Sequence, residues 1–547
     1  MRFFGGWLMT TTPAVQSSVG KGVRRFIVFV LLFILVTIAT NGLVGLLVRL
    51  IDGAVVLTDG NTSGLATSLA FTLIGGPLAA VLWWFAWRGL GDRVERDSLL
   101  WGLYLAGMST LALVIAVWFL LTTLSNLVSG EWDPPAFASG VVWAGVWVWH
   151  SWMAHHSSKA PTRLVAGARI LGYAFGIVIA AVGTIQFVTA LVDLALAPST
   201  SASSVGYAWW TTLLQAAVWA IGGVFVWWLH WVLDNGARLR TGFATVMLVL
   251  VTGLMAVGLT LTGIATALYV ALRLVFENDL PVAEIVDPLG AALGAASVGA
   301  VLWAYYRLQL RAASPAARLG ARLVSSGVAL AAAATGVGIV INAILSAVVW
   351  PLAESDSRGL LFAGLSVLVV GGPVWWLIWR PLSPVTVELA REAGRRVYLI
   401  TVFGISALVA IITLLIIGFQ VFDFALSGAS GGTLLERIGA SFGLLFATSL
   451  VGVYHFSVWR SDRKLVPTEG ARQQTISRVV LVAGADHDSA VRAIREATGA
   501  AVTVWTRTDE STVVAQAQIA AALDGVTGTR VLVVAGAKGV QVIPLEG

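Results

Sequence analysis

Three histidines carry the side chains best suited to chemistry. His150, His230 and His455 each sit close to the end of an apolar, Trp-rich run. Imidazole is a common donor to metal and haem. A chelate needs a second donor on the same helix face, and no HxxxH, HxxE or HExxH pair is present. The adjacent His155 and His156 would point about 100° apart on a helix, a poor chelate. Interface hydrogen bonding is the favoured reading of the three, with metal or haem ligation as the alternative. Asp486-His487-Asp488 has the composition of a metal triplet, but a helix-capping turn accounts for it as well. Cysteine is absent, which removes disulfides, thiolate metal sites and a cysteine nucleophile. There are no paired carboxylates and no Ser-His-Asp arrangement. The residues predict no catalytic site, no metal and no cofactor, in a chain that is not an enzyme.

Tryptophan is the other conspicuous residue, with 24 copies against 8 tyrosines. Trp83-Trp84-Phe85-Ala86-Trp87-Arg88, Trp227-Trp228-Leu229-His230-Trp231 and Trp375-Trp376-Leu377-Ile378-Trp379-Arg380 form three similar clusters. Such clusters suit interfacial anchoring, with indole at headgroup depth and arginine reaching the phosphates. The alternative is an aromatic wall that holds a lipid, quinone or pigment tail. The candidate lipid or interface contacts are therefore Trp83, Trp84, Trp87, Arg88, Trp227, Trp228, Trp231, Trp375, Trp376, Trp379 and Arg380, with His150, His230 and His455.

The elements that must position these residues are membrane helices. The 547-residue chain is 58% hydrophobic and 11% charged, well below the roughly 25% charge of a soluble domain. A spanning helix needs about 20 apolar residues. Twelve such stretches fall near 25–51, 64–87, 99–128, 136–154, 165–196, 208–233, 241–275, 287–308, 319–352, 359–380, 396–427 and 434–459. Alternate connections carry 24 and 4 basic residues, and 6 more lie near the C-terminus. This asymmetry puts both termini in the cytoplasm. The net charge of +6 then belongs to cytoplasmic loops, not to a nucleic-acid surface. The composition suggests a bacterial plasma membrane. Residues 1–23 read as a cytoplasmic tail, and either Met1 or Met9 could open it.

The aromatic ends repeat. The first Trp of each cluster recurs at 83, 227 and 375, with Gly75-Gly76-Pro77, Gly222-Gly223 and Gly371-Gly372-Pro373 upstream. Arg24-Arg25 and Arg395-Arg396 each precede an aspartate, Asp52 and Asp423, by 28 residues from the first arginine. The expected fold is an all-α polytopic membrane protein: six hairpins in three tandem four-helix units, 24–163, 164–318 and 319–463. An even helix number per unit makes the repeat parallel, unlike the inverted repeats of many transporters. These WWxxWR-type ends, the Gly-Gly-Pro and the repeated hairpins resemble a bacterial family catalogued as domain of unknown function 5671. The resemblance extends over about 24–463. It implies a multi-pass membrane protein and no particular activity.

A polar linker, 464–475, leads to a cytoplasmic α/β domain at 476–547. Strands are expected at 478–485, 500–506, 530–535 and 540–544. Helices are expected at 488–498, capped by Asp486 or Asp488, and at 509–523. The βαβαββ order predicts a partly parallel sheet. No P-loop or GxGxxG is present, although Gly484-Ala485-Asp486 lies at a strand end where a small anion could bind.

No Asp, Glu, Lys or Arg falls near the middle of a predicted span, which counts against an ion-coupled pump. Asn41, Gln186, Gln215 and Asn342 are expected to join helices, and Gly172, Gly176, Ala180, Gly290 and Gly294 to let them approach. Membrane lipids, a membrane-protein partner or a second copy are the expected partners. A non-catalytic scaffold or accessory subunit is the favoured role. The alternatives are a transporter of a hydrophobic or amphipathic substrate and a sensor built on the C-terminal domain.

Overall fold

The computed structural model describes residues 16–52, 62–200, 210–349, 355–383, 386–427, 433–465, 476–484, 487–507, 516–524, 526, 529–536 and 539–545. The long helices are α1 (Gln16–Asp52), α2 (62–89), α3 (Leu99–Val128), α4 (Pro134–Ala154), α5 (Gly167–Thr200) and α6 (210–233). They continue with α7 (242–276), α8 (Leu289–Arg311), α9 (Pro315–Val349), α10 (Ser355–Trp379), α11 (Ala393–Leu426) and α12 (Leu434–Leu465). Each coincides with one predicted stretch. Among the described residues, eleven helices are long and apolar enough to cross a membrane. The predicted fourth stretch forms the 21-residue helix α4 but is not among them. Its four tryptophans, with His150 and Ser151, hold its mean hydropathy down.

Local sequence sets the helix ends. Asp133 accepts from the Ala136 amide at 3.0 Å, and Pro134 and Pro135 follow in the first turn, where proline loses no hydrogen bond. Ser314 and Pro315 open α9 in the same way, Ser314 accepting from the Ala317 amide at 3.2 Å. At α12, Thr433 Oγ1 accepts from the Glu436 amide, and Glu436 accepts from the Thr433 amide at 2.6 Å, a reciprocal capping box. Among the described residues, three helices contain π turns: Phe71–Gly75 in α2, Leu229–Leu233 in α6 and Leu250–Ala256 in α7. Each inserts about one extra residue and re-aims the side chains that follow.

The chain divides into two compact units, residues 1–384 with 393–456 and residues 385–392 with 457–547. Within the first, α3 packs on α4, α5 on α6, α7 on α8 and α9 on α10. Small residues set the closest approaches. A Cβ on Gly176 would lie 2.8 Å from Trp227 Cα, and one on Gly290 would lie 2.8 Å from Thr189 Cα. Gly364 and Gly371 meet the α9 backbone in the same way. Where solvent is lipid, helices associate through such van der Waals contact, because burying apolar surface gains little there. The predicted amides divide into two kinds. Gln215 of α6 donates to Ser129 Oγ at 2.6 Å and to the Ser125 carbonyl of α3 at 3.2 Å. Asn342 of α9 faces Gly439 of α12. Asn41 instead donates to Thr37 of its own helix at 2.9 Å, and Gln186 is exposed, so neither is a cross-helix tie as expected.

The second unit holds a four-stranded sheet, β1 (Arg478–Ala483), β2 (Ala501–Thr506), β3 (Arg530–Gly536) and β4 (Gly539–Leu545), in the order β2-β1-β3-β4. β1 is parallel to β2 and β3, and β4 closes antiparallel on β3. Helices α13 (Asp488–Thr498) and α14 (Gln516–Leu523) complete the predicted order. Val479, Leu481, Val531 and Val533 are fully buried, together with Ile494 and Ile519 from the helices. Asp488 is the first residue of α13 and does not cap it. His487 holds the cap position, and its Nδ1 lies 3.1 Å from the Gly484 carbonyl. Asp486, the polar linker 466–475 and the expected helical start 509–515 lie outside the described residues.

Candidate functional site

The three tryptophan clusters are not uniform. In each WWxxW, the first and third indoles are four residues apart and share a helix face, and the second points elsewhere. Trp84, Trp228 and Trp376 are 44%, 40% and 53% exposed. Trp83, Trp227 and Trp375 are half-buried. Trp231 and Trp379 are buried, and Trp87 is half-buried between Trp83 and Trp152. Only the second indole of each cluster has the exposure that an interfacial anchor needs. Arg88 stacks its guanidinium 3.9 Å from the Trp84 ring centre, a cation–π pair at the surface. Arg380 is exposed in a 3₁₀ turn that ends α10.

The inward indoles meet the next hairpin. Trp231 Nε1 donates to Tyr305 Oη at 2.8 Å and Trp227 Nε1 to Tyr306 Oη at 2.8 Å. Trp379 Nε1 donates to Tyr454 Oη, again at 2.8 Å. In the first cluster Trp149 stands where those hairpins present a tyrosine. Trp83 packs at a tilt against Trp149, ring centres 5.1 Å apart, and turns its N–H to Met153 Sδ at 3.4 Å.

The three histidines are buried and share one device. Nδ1 of His150, His230 and His455 lies 2.8, 3.0 and 2.9 Å from the carbonyl four residues earlier, that of Val146, Val226 and Val451. The outer nitrogens differ. His150 Nε2 meets Tyr104 Oη of α3 at 3.1 Å. His455 Nε2 has no hydrogen-bond partner, although Tyr398, Tyr454 and Trp379 surround the ring. Tyr398 Oη pairs instead with Ser326 Oγ at 3.3 Å. His230 presses against Gly172, where a Cβ would come within 2.7 Å of its ring. Among the described residues, no group of three or more His, Asp or Glu could hold a metal.

Arg395 was read from the sequence as one more loop cation, yet it is fully buried. Its guanidinium stacks 5.3 Å from the Trp379 ring centre and donates to the Leu382 carbonyl at 3.0 Å. The doublet Arg395-Arg396 carried no signal for this, because Arg396 is exposed. Glu277 is also buried and accepts from Arg273 at 2.6 Å. Trp227 and Tyr306 further line a cavity of about 290 Å³ between α5, α6 and α8, otherwise walled by groups such as Ile177, Val224 and Val301.

An array of long apolar helices joined by short connections, with a small sheet beyond them, defines the class of multi-pass membrane proteins. The family model described as Domain of unknown function (DUF5671) matches residues 25–148 and 316–451, a little under half of the chain. The matched segments cover less than the expected 24–463 and leave out 149–315, where the Trp cluster lacks the closing arginine and the Gly-Gly lacks its proline. No curated protein and no solved structure matches the chain.

Proposed function

We propose that this chain is a non-catalytic scaffold or accessory subunit of a bacterial plasma membrane, binding lipids or partner membrane proteins. One observation carries the reading: most polar groups at the aromatic helix ends, His455 Nε2 and Trp375 Nε1 excepted, are engaged in hydrogen bonds within or between helices. Each buried histidine bonds its own helix and is boxed by rings or by a glycine backbone. The outward faces, by contrast, are apolar. On α11, Leu408, Leu415 and Phe419 are 58%, 69% and 70% exposed, a surface suited to lipid or to another helix.

The proposed topology has twelve crossings, α4 included, with both termini and the C-terminal sheet domain in the cytoplasm. The imbalance of 24 to 4 basic residues supports it. The proposed organisation is three parallel four-helix units. Trp231–Tyr305 and Trp379–Tyr454 are the same hydrogen bond at the same length in the second and third units. Tyr104, Met247 and Tyr398 are each the sixth residue of α3, α7 and α11. The two family matches begin near the starts of the first and third units.

Purifying the full chain from its native membrane in mild detergent, with mass spectrometry of whatever accompanies it, tests the role. A stoichiometric membrane-protein partner is the expected result. A lone chain that moves solutes across proteoliposomes would replace it with the second reading, a carrier of amphipathic molecules. The apolar cavity beside Trp227 and Tyr306 favours that second reading.

A further inference from the structure

A second cavity, of about 630 Å³, lies between α7, α8, α9 and α10. That volume is within the roughly 300–1,000 Å³ of ordinary ligand pockets. Its depth is apolar, walled by Leu261, Ile264, Val370, Val374 and Ile378. Its other end carries Arg307, Arg311, Arg318 and Arg322, and no Asp or Glu lines it.

The charges are placed by the local fold. Arg307 and Arg311 are four residues apart on α8, and Arg318 and Arg322 are four apart on α9. Three residues, Ala312 to Ser314, join the two helices. Two like-charged pairs at this spacing repel one another along each helix, and the short turn sets one pair beside the other. Elsewhere in this unit Arg25, Arg273, Arg358 and Arg437 each meet a carboxylate within 2.9 Å. The four arginines of the cavity make no such pair among the described residues. Arg318 turns to the Ala313 carbonyl at 2.7 Å, and Arg307 stacks 4.8 Å from the Trp303 ring centre. The α7 wall is opened at its π turn, Leu250–Ala256, which contributes Thr252 and Ala256. Such turns recur at functional sites.

We propose that this cavity binds an anionic glycerophospholipid, with its phosphate among the four arginines and an acyl chain along the apolar wall. Guanidinium suits phosphate because its planar fork gives two parallel hydrogen bonds. Basic pockets between helices on the cytoplasmic side are where anionic headgroups lie. The proposal deepens the lipid-binding part of the function proposed above. Its test reads lipid and not partner proteins, so each can fail alone.

The full chain would be purified, exchanged into detergent with phosphatidylglycerol or phosphatidylcholine, and weighed intact by native mass spectrometry. About one phosphatidylglycerol per chain should persist, at least tenfold over phosphatidylcholine. Two variants separate headgroup from chain. Removing charge with R311Q and R322Q together should abolish the preference. Ala300→Phe, at a position exposed to the cavity, should lower retention with every arginine in place and basic residues still marking the topology. Equal retention of the two lipids, or retention unchanged by Ala300→Phe, would overturn the proposal. So would displacement of the lipid by millimolar inorganic phosphate, which would identify a free-anion site.

Discussion

A buried imidazole in an apolar bundle is costly while either ring nitrogen lacks a partner. His150 satisfies both, through Val146 and Tyr104, whereas His455 satisfies one. The two rings should therefore respond differently to the same change. His150→Phe leaves the Tyr104 hydroxyl buried and unpaired, at about 1–3 kcal/mol. His455→Phe strands no outer partner and should cost distinctly less. Thermal unfolding of the two purified variants, followed by tryptophan fluorescence, checks the order. Tyr104→Phe should cost about as much as His150→Phe, and the double variant less than the sum, since the two residues share one bond. The depth of these histidines could be seen in the sequence, but their partners could not. Tyr104 lies 46 residues from His150, and no local pattern links them. Arg395 was equally hidden, because its contacts with Trp379 and the Leu382 carbonyl come from outside its own helix and no local pattern separates it from the exposed Arg396.

Helices are the scale at which sequence was most informative, since a run of about 20 apolar residues has few other readings. The π turns were not legible. They alter backbone pairing without changing hydrophobic content, and they leave the spacing of the Trp clusters untouched. Spacing did bear on which indole faces inward, through the i,i+4 relation of the first and third. Exposure then separates their roles. Trp379→Ala should destabilise by about 3–5 kcal/mol, as deleting a fully buried indole does. Trp84→Ala should stay within about 0.5 kcal/mol, as at other exposed positions. Helix crossings give a further contrast. Gly176→Ala forces a methyl against the Trp227 backbone and should cost about 1–3 kcal/mol. The same change at Gly145, which has open space, should be neutral. Denaturation of the detergent-solubilised chain measures all four.

The whole molecule poses a question of sidedness, and the absence of cysteine makes it direct to answer. Single cysteines at Glu131, before α4, and at Ser157, after it, should react on opposite sides of the membrane. In intact cells an impermeant maleimide should label Glu131→Cys and spare Ser157→Cys, with the reverse in inverted vesicles. Labelling of both from one side would remove α4 from the crossings and put the chain's ends on opposite faces. The C-terminal sheet domain was readable strand by strand, because Arg478–Ala483 and Arg530–Gly536 are short continuous apolar runs, the mark of a buried strand.

The modest hydropathy of α4 bears on how the chain is made. With α4 as a crossing helix, four indoles and an imidazole make it a weak candidate for release into lipid on its own as it leaves the insertion machinery. α3 is synthesised first, and Tyr104 is then already within the bilayer when His150 emerges. The α3–α4 hairpin becomes the unit of insertion, completed by that single bond and by the packing around it. A lesion at Tyr104 would then appear during biogenesis, as chains caught with α4 outside the membrane and cleared by quality control.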